Sequence, residues 1–196
     1  MNTDEHDLTS SARLSDVGAT HFESLRALHR TLDAVFTLHQ ELLVVLEMGL
    51  AADVFDTHLL LLRLHMKHEE DWLLPAYRAL GAWPRFPEVL YLGQHRKLLA
   101  QLERVRSRLS QSRLARPSTP RAAVAILELE TTYKHLSEHH DQAEAQGLFK
   151  ALDAGIPVSE RYWLVQRCSD EFLLALNSGL PLLRRARQRV SERTRG

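Results

Sequence analysis

Histidine is the residue type in this chain that is best suited to metal binding, and the 196 residues include 11 histidines. Three of them, His39, His95 and His140, stand in helical hydrophobic patterns where leucine is expected, and His65 offers a fourth. One such residue is usually a hydrogen-bonded core histidine. Each buried imidazole without a partner costs roughly 1–3 kcal/mol, so four of them, one on each of four helices, indicate that something binds them.

Two histidines are each followed by a glutamate one helical turn later, in the pairs His65–Glu69 and His140–Glu144. Residues i and i+4 of a helix share one face and lie about 5–6 Å apart at Cβ. Each pair can therefore direct an imidazole and a carboxylate to the same point. A single pair is weak evidence, but two pairs on the second and fourth helices form a repeat.

Imidazole and carboxylate ligands without a thiol suit iron, manganese or zinc. Four histidines and two glutamates exceed the needs of one ion, and carboxylates on facing helices of a bundle can bridge two metals. We expect two iron ions, since this arrangement leaves room for an external ligand such as dioxygen. Zinc and manganese are the alternatives.

The elements that must position these residues are long amphipathic helices. Apolar residues recur at spacings of three and four, which predicts helices over about 20–49, 53–80, 87–113 and 120–155. Short loops separate these helices, and no segment has the alternation of a strand. The pattern predicts an all-α protein, an up-down-up-down four-helix bundle with extra C-terminal helices.

The remaining segments complete the predicted organisation. Residues 1–19 are polar and aperiodic, which is typical of a flexible arm. Residues 20–155 form the bundle, and residues 156–183 form a helical extension that Pro181 divides. Residues 184–196 are rich in arginine and are predicted to be a solvated tail.

The turns predict which histidines lie at the same level. Residues at one height in an antiparallel hairpin are equally far from the turn. His39 and His65 are centred on position 52, within the expected turn at 49–53, and His95 and His140 are centred on the break at 116–120. The other histidines carry weaker signals. His68, His135 and His139 are expected to be solvated, and His29 and His58 approach apolar faces.

Composition excludes several classes of function. The 25 basic and 25 acidic residues balance, which argues against charge-driven binding to nucleic acid or a membrane. The single cysteine, Cys168, excludes an internal disulfide and a cysteine-based zinc site. It also fits a reducing compartment, so we expect a cytoplasmic protein. No signal peptide is apparent, and Arg63 interrupts the longest apolar run, so no membrane span is predicted.

Four segments of the chain resemble one known family. The stretch LHMKHEEDWLLPAY (64–77) is similar to the haemerythrin-like, or HHE cation-binding, signature, in which a histidine is followed by Glu-Glu, an apolar pair and proline. SEHHDQAEAQGLFKAL (137–152) resembles a second copy, with Ala145 and Lys150 departing from the pattern. LHQELLVVLE (38–47) and GQHRKLLAQLERV (93–105) resemble the first and third helices of the family. The likeness covers about residues 20–155.

The resemblance implies a four-helix bundle that holds two iron ions bridged by an oxo or hydroxo group. Carried over by position, the metal ligands are His39, His65, Glu69, His95, His140 and Glu144. Oxygen carriers of the family have a further histidine one turn after the third-helix ligand, where this chain has Leu99. The chain therefore resembles the members linked to sensing, nitric oxide or peroxide. Tyr91, His68 and His135 are candidates for an additional ligand.

Three functions remain open at this point. The first is the binding or sensing of dioxygen, nitric oxide or a peroxide at the metal pair. The second is an enzyme that turns over peroxide or oxidises a substrate. The third is a helical interaction module without a redox role, whose arginine-rich end contacts nucleic acid or an acidic partner. The sequence does not decide whether a protein partner or an oligomer is involved.

Overall fold

The computed structural model describes residues 20–81, 86–114 and 119–195, and the regular elements within these ranges are all helical, which confirms the predicted all-α class. A 3-10 turn (Phe22–Leu25) precedes the first helix. The α-helices are α1 (Arg26–Val44), α2 (Met48–His68), α3 (Leu74–Ala79), α4 (Glu88–Leu114), α5 (Pro120–Ala143), α6 (Phe149–Gly155) and α7 (Val158–Arg195). The predicted arm over residues 1–19 lies outside the described residues.

The turn between α1 and α2 comes earlier than the sequence predicts. Helix α1 ends at Val44, and Leu46 adopts a left-handed conformation with φ 61°. The amide of Glu47 donates to the Leu42 carbonyl and that of Leu46 to the Leu43 carbonyl, the hydrogen bonds of a Schellman cap. Glycine is the usual residue at this cap position, but here leucine fills it and Gly49 lies inside α2. The expected turn at 49–53 is therefore wrong.

A π-helical segment follows each of the two predicted His–Glu pairs. Glu69–Leu73 joins α2 to α3, and Glu144–Leu148 joins α5 to α6. Pro75 lies two residues after the first segment and has no N–H to donate to a carbonyl of that segment. Lys150 stands at the corresponding place after the second segment. Proline alone therefore does not explain both segments. Short π segments within α-helices occur frequently at functional sites, and here each begins at a glutamate of a pair.

Four long helices pack around a common core. Helix α1 contacts α2, α2 contacts α4, α4 contacts α5, and α5 contacts α1. Helix α5 begins at the predicted position, since the Thr119 side chain caps the helix by accepting from the Ala122 amide and Pro120 occupies the first turn. Helices α2 and α5, which lead into the two π segments, therefore belong to the same packed core.

The C-terminal region is a single helix rather than two helices and a tail. Helix α7 spans 38 residues with Pro181 inside it, and it packs on α1 and α2. Ala186, beyond the proline, is buried. The Nε atoms of Arg189 and Arg193 donate to Glu47 Oε1 at 2.8 and 2.9 Å. These contacts continue the helix past the proline, so the predicted solvated tail at 184–196 is corrected to a helix as far as residue 195, packed around Ala186 and exposed over 191–195.

Cys168 is buried in α7 as a free cysteine. Within the described ranges, no helix combines the length and the apolar character that crossing a membrane requires.

Candidate metal centre

Two groups of buried ligand atoms meet in the core at the level of the π segments. One group consists of His29, His65, Glu69 and Glu144, and the other of Glu69, His95, His140 and Glu144. Within each group the ligand atoms lie within 4.8 Å of one another. Both glutamates belong to both groups, so the two groups adjoin and share their carboxylates.

Each shared carboxylate directs one oxygen to each group. Glu69 places Oε1 at 3.0 Å from His65 Nε2 and Oε2 at 3.1 Å from His95 Nε2. Glu144 places Oε2 at 3.0 Å from His29 Nε2 and Oε1 at 3.0 Å from His140 Nε2. Two carboxylates in this orientation could be shared by two metal ions.

Six donor atoms of the centre are left without hydrogen bonds, whereas His29 Nε2 and His65 Nε2 lie 2.9 Å apart and pair with each other. Among the described residues, all four oxygens of Glu69 and Glu144 and the Nε2 atoms of His95 and His140 are buried without a hydrogen-bond partner. Unpaired buried polar atoms are rare in native proteins and costly. Two atoms bound at right angles to one ion at about 2.0–2.2 Å stand about 3 Å apart. The observed spacing therefore fits metal coordination.

Outer residues fix the orientation of two of the imidazoles. His95 Nδ1 lies 2.7 Å from Glu70 Oε1, and His140 Nδ1 lies 3.1 Å from Gln94 Oε1. Because these oxygens accept, each Nδ1 carries the hydrogen and directs Nε2 to the centre as the free donor atom. A second partner of this kind is usual for histidines that bind metals.

The electrostatics of the metal-free centre favour protonated His29 and His95 beside ionised glutamates. Burial opposes charge on His29, but the Glu144 carboxylate outweighs it and raises the pKa of His29 to about 9. Burial likewise opposes charge on His95, but the Glu69 carboxylate, with Oε2 3.1 Å from Nε2, outweighs it and raises the pKa of His95 to about 9. Despite burial, His65 and His95 hold the pKa of Glu69 well below its usual value. Metal binding must therefore displace protons from His29 and His95.

The structure brings together five of the six predicted ligands, namely His65, Glu69, His95, His140 and Glu144. His39 lies elsewhere. Its Nδ1 donates to the Ala51 carbonyl at 2.8 Å, and its Nε2 lies 2.7 Å from Glu130 Oε1. Gln40 donates to the other oxygen of Glu130 at 2.8 Å. His39 is thus a buried histidine with both nitrogens paired. His29 occupies the place in the centre that was predicted for His39.

The position of the first turn explains this difference. His65 follows the start of α2 by 17 residues, and the residue 17 before the end of α1 is Ala27, two positions from His29. The expected turn near position 52 placed His39 opposite His65 instead. His29, Leu32, Phe36 and His39 follow one another at helical spacings of three and four. Both histidines therefore lie on the apolar face, and only the turn decides which one reaches the centre.

The candidates for an additional ligand contact other groups. The Tyr91 hydroxyl donates to the Ala143 carbonyl at 3.2 Å. His68 is buried, not solvated as predicted, and its Nε2 lies 3.1 Å from Glu171 Oε2. His135 and His139 are exposed, as predicted. Leu99 is half-buried against the core.

Comparison with known proteins adds no assignment: no family model, curated protein or solved structure matches this chain.

Proposed function

We propose that the chain is a haemerythrin-like four-helix bundle that holds two iron ions and binds or senses a small oxidant, namely dioxygen, nitric oxide or a peroxide. The ligands are His29, His65, Glu69, His95, His140 and Glu144. The observation that carries the proposal is that Glu69 and Glu144 each direct one oxygen to each of the two ligand groups. Two imidazoles then complete each group.

The ligand set favours iron over the other metals. It contains nitrogen and carboxylate oxygen without sulfur, which suits iron, manganese and zinc. Structural zinc sites are closed and four-coordinate, whereas two carboxylates shared by two adjoining groups are typical of di-iron and di-manganese centres in helix bundles. A bound iron pair supplies reversible one- and two-electron chemistry toward small oxidants.

The residues of the chain hold, orient and shield this centre. All six ligands are at most 6% exposed, so the surrounding core excludes bulk water. Glu70 and Gln94 fix two imidazole rings from outside. Each group offers four protein ligand atoms, which leaves positions open in an octahedral site. Such a buried, open centre admits a small molecule and excludes a large substrate.

Sensing or reaction fits the site better than oxygen storage. In the family that the sequence resembles, oxygen carriers place an additional histidine one turn after the third-helix ligand. The corresponding Leu99 packs against the core here, and each described group has two imidazoles. Peroxide turnover at the same centre is the second candidate, because both groups have open positions. The buried free thiol of Cys168 is consistent with a reducing, cytoplasmic location.

Metal content and spectroscopy test the proposal. The purified chain is unfolded, stripped with a chelator, refolded with ferrous iron under argon and desalted, and iron is counted per chain. We expect about two irons that are released only on unfolding, and a change in the visible and Mössbauer spectra on addition of dioxygen, nitric oxide or hydrogen peroxide. A chain that retains no iron, or retains iron that none of the three oxidants affects, contradicts the proposal.

A further inference from the structure

A second polar cluster lies in the core beyond the metal centre. It joins His58 of α2 to Tyr133 of α5, and the two side chains are 1% and 3% exposed. His58 precedes the ligand His65 by seven residues, and Tyr133 precedes the ligand His140 by seven. At a rise of 1.5 Å per residue, both side chains lie about 10 Å from the centre along the helices. A buried tyrosine at this distance is within reach of electron transfer.

The hydrogen bonds of His58 define the direction of proton transfer. Its Nδ1 lies 3.2 Å from the Leu32 carbonyl oxygen, which can only accept, so Nδ1 carries the hydrogen. Its Nε2 is then an unprotonated acceptor, and the Tyr133 hydroxyl donates to it at 2.7 Å. The phenol therefore faces a base rather than a carbonyl or solvent.

The resting pair is neutral. Burial lowers the pKa of His58 to about 3 and raises the pKa of Tyr133 above its usual value. Tyr133 therefore does not ionise in the resting state. A phenol that loses an electron becomes a strong acid, however, and its proton can move to His58 Nε2 without leaving the core. The aromatic ring of Phe36, with its centroid 4.9 Å from that of Tyr133, further shields the phenol.

We infer, building on the proposed function, that Tyr133 is a redox-active residue that supplies an electron to the metal centre when a peroxide is reduced, with His58 as its proton acceptor. The O–H bond of Tyr133 breaks and an N–H bond forms on His58, which leaves a neutral phenoxyl radical beside an imidazolium. Hydrogen peroxide takes up two protons from solvent and two electrons from the protein, and it becomes two waters. Tyr133 supplies one electron, and the other comes from the bound iron pair.

The role of this pair follows from its burial. The radical retains one oxidising equivalent away from the centre and away from solvent. When a small one-electron reductant such as dithionite returns the electron, His58 returns the proton to the phenol oxygen, because the buried imidazolium is the stronger acid. Tyr133 therefore prevents the metal centre from retaining both oxidising equivalents after each peroxide.

Tyr77 provides a matched control within the same chain. It is a buried tyrosine on α3, eight residues after the ligand Glu69, or about 12 Å along the helix. Its hydroxyl donates to the Phe86 carbonyl at 2.8 Å. A carbonyl accepts a hydrogen bond but does not take the proton, so the radical is expected at Tyr133 and not at Tyr77.

Electron paramagnetic resonance of freeze-quenched samples tests this inference. Iron-loaded protein, partly reduced with dithionite, is mixed with hydrogen peroxide and frozen at successive times. We expect the signal of a neutral phenoxyl radical in the unchanged chain and in Tyr77→Phe. Tyr133→Phe loses the signal while it retains its iron. His58→Gln, which can accept the hydrogen bond but not the proton, also loses it.

A ring-fluorinated tyrosine at position 133 gives an assignment that preserves the native packing, because the fluorine splits the radical signal. A signal without that splitting, or one that persists in Tyr133→Phe, overturns the inference. Iron-loaded protein that consumes peroxide and gives no radical overturns the inference and leaves the proposed function intact. Failure of the chain to bind iron overturns both.

Discussion

Replacement of His39 distinguishes a structural histidine from a metal ligand. His39 and Glu130 are each 0% exposed, and the contact between Nε2 and Oε1 is 2.7 Å. In His39→Ala the Glu130 carboxylate keeps only the amide of Gln40 as a donor. Removal of one member of a buried ion pair costs about 3–5 kcal/mol, since the other charge remains buried. The iron content, in contrast, should not change.

The melting temperature gives the size of the expected effect. A loss of 1 kcal/mol lowers it by about 2–4 °C in a domain of this size, so His39→Ala should melt about 6–20 °C lower. The double variant His39→Leu/Glu130→Leu should melt higher than His39→Ala, because replacement of both charges by apolar side chains leaves no buried charge uncompensated. The metal-free protein is used for both melts, so that metal binding does not contribute.

Iron per chain is measured in the same preparations, with His29→Ala as the matched control from the same helix. His29→Ala should lose iron, and His39→Ala should keep the iron of the unchanged chain. If His39→Ala loses iron while its metal-free melting temperature is unchanged, then His39 is a ligand and the position of the first turn is wrong. A double variant no more stable than His39→Ala would refute the ion-pair reasoning alone.

Three further predictions follow from the centre and from α7. Glu69→Ala should lose both irons, because its carboxylate serves both ligand groups, whereas His29→Ala should keep about one. Inductively coupled plasma mass spectrometry counts the iron ions per chain. Equal losses in the two variants would contradict the shared carboxylate. The metal-free protein should be most stable near pH 6.5 in urea melts. The stability that His29 contributes is fully present below pH 6.5 and is lost as pH rises through about 9, while that of neutral His58 is present above pH 6.5 and is lost as pH falls toward 3. Added iron should remove the alkaline loss, and a flat profile would show that neither histidine differs between the folded and unfolded states. Removal of 184–196 should lower the melting temperature, because it deletes the buried Ala186, and should leave the iron content unchanged; unchanged stability would contradict the packed helix.

Local patterns in the sequence were sufficient to predict the helices and the two His–Glu pairs. The spacing of apolar residues repeats over several turns, and residues four apart share a face in any α-helix. His65 with Glu69 and His140 with Glu144 therefore point together whatever the tertiary structure. The level of His95 and His140 was also predicted, because the Pro-rich break at 116–120 permits one turn position; their rings lie 4.8 Å apart.

The tertiary structure decided which histidine of α1 reaches the centre. His29 and His39 both lie on the apolar face of α1, so their periodicity does not separate them. The choice depends on the turn, and the turn depends on Leu46 in a conformation that glycine usually adopts. The local sequence predicts the turn at 49–53, because it contains a glycine and no glycine stands at position 46. Glu130, the partner of His39, likewise becomes apparent only when α5 packs on α1.

The C-terminal helix was likewise not predictable from the local sequence, for different reasons. Proline and a run of arginines locally predict a break and a solvated tail. The helix continues because Ala186 is buried against the other helices and because Glu47, more than 140 residues earlier, accepts from Arg189 and Arg193. The sequence alone predicted the long helices before residue 156 and the two His–Glu pairs, because both depend on local spacing. Contacts between residues distant in the chain determined which of the candidate ligands meet, because register and burial depend on how whole helices pack.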